Sequence, residues 1–377
     1  MTLMTKENPS VSEKKSGNRP KIPAGTRVYY FFYKLIRATP VLNFAVRYLT
    51  YALEGNPVYD WLYGLRIKQK IKDYSPYPQQ ILFHTLLHCN SDCIMCPFAK
   101  SKRPTDPKTA ELFAKILPTD LVRKVVDESV GTSLQSVVFT GGEPFMDKEL
   151  LTKIQYVRQK LPDVHIHLFS NGSFLNEARI NALIDAGLNS LTISIDGADS
   201  ASYESTRTNL SFDRVFGNAK LVQKIKKERG SSLPLLRLAM ITLSTTEDKR
   251  IEYMKTMKKV GDVVEIHNAH NWGGFIPSDL FNRKSYGSEK EKRYVCHYLY
   301  GRVAIASDGK ISMCSYDYDK THVIGDVNVE SLEKIWQGEK LAEYRRHHLN
   351  GSPESIERCK NCTSKFSWWH ETLGAAD

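Results

Sequence analysis

The chain has 377 residues, 41% hydrophobic and 25% charged, an ordinary globular balance with length for two or three domains. This excludes a lone binding module, a fibrous repeat and a wholly disordered chain. The formal charge of +11 is uneven: residues 1–75 hold thirteen Lys and Arg against five Asp and Glu, which leaves only +3 for the rest and argues against a whole-surface nucleic-acid footprint.

Residues 1–20 are polar without periodicity and read as a disordered tail. They lack the apolar core of a secretory signal, and no long uncharged apolar run follows, so a cytoplasmic protein is expected. Residues 21–76 change character, with Tyr29 to Tyr33, Phe44, Tyr48, Tyr51, Tyr59, Trp61 and Tyr63 interleaved with Lys34, Arg37, Arg47, Arg66 and Lys68. Two or three helices broken near Pro40 and at Gly55-Asn56-Pro57 are predicted. Packing on the main domain is the favoured role, because aromatic stripes are usually core. The alternative is contact with a membrane surface, which would make the protein peripheral to the bilayer.

From residue 77 to 275, apolar runs alternate with helix-period segments. Strands are predicted at Ile81–Leu87, Gln135–Thr140, Val164–Ser170, Ser190–Ile195, Leu235–Leu243 and Val263–His267, with helices around 109–129, 148–160, 175–186, 211–228 and 246–260. Six strand–helix units predict an α/β fold with a parallel sheet, open or curled into a partial barrel, whose chemistry gathers at the carboxyl ends of the strands. Residues 276–377 break the rhythm. Val303–Ala306, Ser307-Asp308-Gly309 and Lys310–Met313 read as a hairpin, and a helix is expected from Ser331 to His347, so this tail is expected to form a small separate α+β domain.

All seven cysteines fall where they are more useful as metal ligands than as disulfides. Cys89, Cys93 and Cys96 follow the first strand. Three thiolates can hold three irons of a cubane and leave the fourth iron open, whereas a zinc site would need His84 or His88 as well. Gly141-Gly142-Glu143-Pro144 follows the second strand, where paired glycines let the backbone approach a ligand and a carboxylate suits an ammonium.

Cys-x3-Cys-x2-Cys at the first strand exit and Gly-Gly-Glu-Pro at the second resemble the radical S-adenosylmethionine (SAM) superfamily. The resemblance implies a partial (β/α)6 barrel and a 4Fe–4S cluster whose open iron chelates the amino and carboxylate groups of SAM. It also implies that the backbone of Gly141, Gly142 and Pro144, together with the Glu143 side chain, meets the methionine amino group. Ser170-Asn171-Gly172 and Ser194-Ile195-Asp196-Gly197 resemble segments that contact the ribose and carboxylate, with Arg207 a further carboxylate partner. Asn-Gly and Asp-Gly are also ordinary turns. Met95 stands beside the last cysteine of the loop, where many members carry an aromatic that packs on adenine.

Cys296, Gly309, Cys314 and Cys359-x2-Cys362 resemble the auxiliary-cluster domain of the SPASM/twitch group, with Val323–Val327 and the Trp336 helix between. Ser367, Trp368 and Trp369 stand where larger SPASM domains continue with cysteines, so one auxiliary 4Fe–4S cluster is implied. Four cysteines around a structural zinc remain the alternative.

The resemblance implies a 5′-deoxyadenosyl radical that abstracts a substrate hydrogen, with an electron supplied by a flavodoxin- or ferredoxin-type donor. Three plus four cysteines leave no thiol to return a hydrogen atom, which favours a two-electron oxidation. The expected substrate is a small polyol, sugar or lipid-linked molecule. A peptide-modifying enzyme is the second reading, and a zinc-holding nucleic-acid or membrane adaptor the third. Arg237, Glu265, His267 and His270, with Asn271 and Trp272, are the candidates for handling substrate.

Overall fold

In this computed structural model the described residues are 75–243, 247–276, 295–296 and 298–362. The tail 1–20, nearly all of segment 21–76 and Ser367, Trp368 and Trp369 lie outside them. From Ser75 onward the described residues belong to one compact unit. Among them, no helix is long and apolar enough to cross a membrane.

Six strands follow one another in chain order: β1 (Gln80–Leu86), β2 (Ser136–Gly141), β3 (His165–Ser170), β4 (Ser190–Ser194), β5 (Leu235–Thr242) and β6 (Val263–Asn268). Each pairs in parallel with the next, in register Leu82 to Val138, Val138 to His167, Phe169 to Thr192, Thr192 to Arg237 and Ala239 to Glu265. The intervening helices are α1 (Pro107–Ala114), α2 (Thr119–Glu128), α3 (Leu150–Lys160), α4 (Glu177–Asp185), α5 (Ser200–Glu204), α6 (Phe212–Glu228) and α7 (Glu247–Met257). This is the α/β architecture of a (β/α)6 partial barrel.

The period-2 pattern of the strands explains the layering. Val137, Phe139, Ile166, Leu168, Leu191, Ile193, Leu236 and Leu238 are buried in one cluster with Val122, Val125, Ile154, Val157, Leu183, Val215 and Val222 from the helices. Each such side chain contributes about 1.5–3 kcal/mol by leaving water. The alternate positions include polar residues that meet one another: His165 with Ser190, His167 with Thr192, and Arg237 with Glu265. The sheet is thus apolar toward its helices, while its other face carries these polar pairs beside a small buried apolar patch that includes Leu82 and Val138.

Two predicted helices are each split in two. The segment 109–129 breaks before Thr119 because Pro118 cannot continue a helix, and α1 begins instead at Pro107 with Asp106 as its cap. The segment 331–347 breaks at Gly338 into α9 (Leu332–Gln337) and α10 (Glu339–Leu349), flanked by α8 (Tyr298–Gly301) and α11 (Glu357–Lys360).

The tail, expected to stand apart, joins the barrel sheet. Strand β7 (Arg302–Ile305) pairs in parallel with β1, Leu82 opposite Ala304, and β8 (Lys310–Ser312) and β9 (Val323–Asp326) add antiparallel strands beyond it. Gly309 makes the hairpin turn at φ +87°, where a Cβ would meet the Asn328 side chain at 2.2 Å. Trp336 is fully buried and its indole donates to the Ser75 carbonyl at 2.9 Å, while the Leu332 amide donates to Glu128 of α2 at 3.0 Å. These contacts seat the tail on the first strand–helix unit.

Candidate functional site

The loops leaving β1 to β6 surround a cleft of about 880 Å³, counting its open mouth. Cys89, Cys93 and Cys96 line it together with Met95, Gly141, Gly142, Ser170, Asn171, Ser194, Arg207, His270 and Trp272. All seven cysteines are free thiols.

Local chemistry explains why the loops converge. The Gly142 amide donates to the Leu86 carbonyl at 2.8 Å, and the Glu143 amide to the His88 carbonyl at 3.2 Å. A Cβ on Gly142 would lie 1.7 Å from the His88 oxygen, so only glycine lets the second loop lie against the cysteine loop. Cys93 is anchored by the Ser91 hydroxyl at 3.0 Å, and a two-residue ladder pairs Asp92–Cys93 with Arg207–Thr208. Asn171 donates to Asn90 at 2.8 Å and points the same amide at the Cys89 sulfur, 3.7 Å away.

Glu143 departs from its expected role. It does not line the cleft; its carboxylate is fully buried and accepts from the Phe145 amide at 3.1 Å, the Ser170 hydroxyl at 2.9 Å and the Asn171 amide at 2.7 Å. Burial raises its pKa to about 7 against the lowering effect of those donors. It therefore ties the second loop to the end of β3, and the cleft sees the glycine backbone instead. Pro144, likewise off the cleft, opens the short turn behind. Asp196 is also set back: it accepts from the Ile241 amide at 2.7 Å and pairs with Arg207 at 2.6 Å, whose guanidinium reaches Cys93 at 3.7 Å.

The substrate candidates divide. Arg237, Glu265 and His267 sit on the polar face of β5 and β6 and bind one another, Arg237 in an ion pair with Glu265 and His267 at 3.5 Å from the same carboxylate. Burial raises the Glu265 pKa, but His267 and the Arg237 charge outweigh it and hold the carboxyl at about 2. Glu265 is thus a committed carboxylate and a poor proton acceptor. Burial, with the Arg302 charge, holds His270 at about 3, so it is a neutral ring packed between Trp272 and Tyr316. Near neutral pH, then, Glu265 is held charged and His270 neutral. Asn271 faces away and donates to the Asn361 carbonyl at 2.6 Å.

A second cavity, about 430 Å³, is lined by Cys296, Cys314, Cys359 and Cys362 with Tyr298, Tyr316, His348 and Arg358. The two cavities divide the cysteines three and four. Burial pushes Cys89 up to about 11 and Cys96 and Cys314 up to about 12, so these sulfurs need a bound cation to become thiolates. Among the described residues, no three His, Cys, Asp or Glu side chains converge closely enough to share one metal ion. A zinc centre, with Zn–S of about 2.3 Å, would draw its sulfurs within about 4 Å of one another. A cubane gives each thiolate its own iron, and three thiols lining the cleft with four lining the second cavity supply the donors for one cluster with an open iron and one without. His84 and His88 do not complete the first site: His84 accepts from Lys320 at 3.4 Å and His88 donates to the Phe113 carbonyl at 2.8 Å.

Sequence reasoning overlooked Phe98, Thr140, Phe169 and Ile241, which also line the cleft, and Tyr298 and Tyr316 at the second cavity. Alternation along β2 and β3 could have found Thr140 and Phe169. Each tyrosine stands two residues after a cysteine, a spacing visible in the chain itself.

Comparison with known proteins bears on both cavities. Residues 85–236 match the radical SAM superfamily and residues 296–363 an iron–sulfur cluster-binding domain of the SPASM type. The chain is 27% identical over 180 residues to a probable GTP 3′,8-cyclase of Methanococcus maripaludis, covering 47% of this chain and 54% of that protein. It spans about half the length of the first such relatives. It is 20% identical over 283 residues to an S-adenosyl-L-methionine-dependent 2-deoxy-scyllo-inosamine dehydrogenase of Niallia circulans, covering 73% and 89% of the two chains. In fold it is similar to SuiB of Streptococcus suis bound to its precursor peptide SuiA, with TM-score 0.57, 13% identity and coverage of 79% and 72%. The first matched segment spans the three-thiol loop and the second the four-thiol cavity; this chain is a radical SAM superfamily enzyme, one that works with a 4Fe–4S cluster, S-adenosylmethionine and an auxiliary iron–sulfur cluster.

Proposed function

We propose that this enzyme dehydrogenates a small polar molecule, a polyol or sugar, by two electrons. The observation that carries the reading is the division of the thiols: three on the cleft, four on the second cavity and none left over to hand a hydrogen atom back to substrate. The likeness to a cyclitol-type dehydrogenase over most of both chains points the same way.

In this reading Cys89, Cys93 and Cys96 hold the first cluster, and Cys296, Cys314, Cys359 and Cys362 the auxiliary one. When bound, the first cluster and SAM supply hydrogen-atom abstraction by a 5′-deoxyadenosyl radical. The protein's own groups position and enclose. Gly141 and Gly142 offer backbone to the methionine end, and Arg207, held by Asp196, offers a guanidinium to its carboxylate. Asn171 and Ser194 present polar groups at the strand exits for the ribose. Met95 and Phe98 supply apolar surface for a base. On the polar face of β5 and β6, Arg237, Glu265 and His267 form a prearranged set of donors and acceptors suited to hydroxyl groups. A flavodoxin- or ferredoxin-type donor would supply the first electron. A lipid-linked substrate or a membrane-surface contact would depend on residues 21–76.

The test is a panel of deuterated polyols, aminocyclitols and sugars incubated anaerobically with SAM and reductant. The expected result is deuterium in 5′-deoxyadenosine and a product two hydrogens lighter. In Cys359→Ala/Cys362→Ala, which should bind roughly four fewer irons, deoxyadenosine should form without matching oxidised product. A product isomeric with its substrate, or a modified peptide as the only product, would sink this reading.

A further inference from the structure

A chain of aromatic rings runs from one cysteine site to the other. His270 and Trp272 line the three-thiol cleft, and Tyr298 and Tyr316 line the four-thiol cavity. Ring centroids are 4.0 Å apart for His270 and Tyr316, 5.4 Å for Trp272 and Tyr316, and 5.5 Å for Tyr316 and Tyr298. The two phenol oxygens are 3.2 Å apart. These separations are those of rings in direct contact, with no solvent layer between them.

Both ends of the chain are fastened next to cysteines. The Trp272 indole donates to the carbonyl of Met95, the residue before Cys96, at 3.0 Å. Tyr298 and Tyr316 each stand two residues after a cysteine, Cys296 and Cys314. Asn271 reaches into the turn between Cys359 and Cys362 through its bond to Asn361.

The backbone bears a cost to hold this arrangement. Trp272 has φ +50°, a left-handed conformation that costs a bulky residue roughly 1–3 kcal/mol. Gly273 beside it has φ +65°, and a Cβ there would lie 2.3 Å from the Arg358 side chain. Packing alone would be served by an aliphatic side chain on relaxed backbone. Strain concentrated on the segment pressed between two cysteine sites points to a role in joining them.

We propose that His270 and Trp272, then Tyr316, then Tyr298, form the path by which one electron passes between the iron–sulfur groups of the cleft and of the four-cysteine cavity. The site giving the electron is oxidised by one unit and the site receiving it is reduced by one. No bond forms or breaks, no proton moves, and the rings end neutral. Tyr316 is the junction, since both cleft-side rings meet it. This deepens the oxidative reading above, because a substrate's second electron would leave by the same route. Exchange between the sites needs no substrate, so its test stands or falls separately from that reading.

The experiment uses anaerobic, iron-loaded full-length protein given substoichiometric electrons by a deazaflavin flash. Freeze-quench electron paramagnetic resonance then follows the reduced signals of the two sites as they equilibrate. Tyr316→Leu should slow the approach to equilibrium several-fold, with iron content and both line shapes retained, whereas Tyr316→Phe, which keeps the ring, should match wild type. If Tyr316→Leu loads iron poorly, the double variant His270→Leu/Trp272→Leu, on a different element, decides and should be slow. Wild-type exchange in the leucine variants, or a phenylalanine variant as slow as leucine, overturns the proposal.

Discussion

Replacing Glu143 by Gln should reverse the order of stability between wild type and variant as pH changes. The buried carboxyl has its pKa raised from 4.5 to about 7, so the folded state binds this proton more tightly than the unfolded state does. Folded protein therefore gains relative stability while the group is protonated, and loses it as pH rises between those two values. A shift of this size corresponds to roughly 3 kcal/mol lost across the window, at about 1.4 kcal/mol per pH unit. Gln cannot ionise and escapes that loss. It does place an amide donor against either the Asn171 amide or the Phe145 amide, both of which now donate to carboxylate oxygens, at a cost of about 1–3 kcal/mol. Wild type should be the more stable protein near pH 5, and the variant should equal or exceed it near pH 8. Anaerobic urea melts at several pH values measure the difference directly. A carboxylic-acid C=O band in infrared difference spectra, present in wild type, absent in the variant and titrating near pH 7, would identify the group. Stability curves that run parallel for the two proteins across this window would refute the reasoning.

Three further expectations follow from the site. Cys93→Ala should abolish reductive cleavage of SAM, read as 5′-deoxyadenosine formed under dithionite, because two thiolates cannot hold a site-differentiated cubane. Gly142→Ala should lower stability by about 3 kcal/mol in a thermal melt and weaken SAM binding, since the new methyl meets the His88 carbonyl, a backbone atom that can yield only if the cysteine loop moves. Asp196→Asn should cost roughly 3 kcal/mol by leaving the buried Arg207 guanidinium without its carboxylate; an unchanged denaturation midpoint would show that Arg207 finds another anion.

What the sequence could determine was local. All six barrel strands are legible within a residue or so of their ends, because alternation between helix-facing apolar and opposite polar positions is written into runs such as Ser190-Leu191-Thr192-Ile193-Ser194. The cysteine spacings and the paired glycines are equally local, since one loop must carry three ligands and one turn must lie close to it. The helix breaks at Pro118 and Gly338 were within reach too, as both residues are ordinary punctuation. Only the tertiary structure could show that β7 joins the edge of β1, because edge pairing depends on which backbone groups the rest of the fold leaves unpaired. The same holds for polar side chains. Glu143 could face a ligand or the strand beside it, and the nearby donors of Phe145, Ser170 and Asn171 decide for the strand. Asp196 and Arg207 are eleven positions apart, and His270 and Tyr316 forty-six, so no periodicity relates them. Their contacts come from loops folding over the strand ends, where non-local packing rather than local propensity sets which side chains meet.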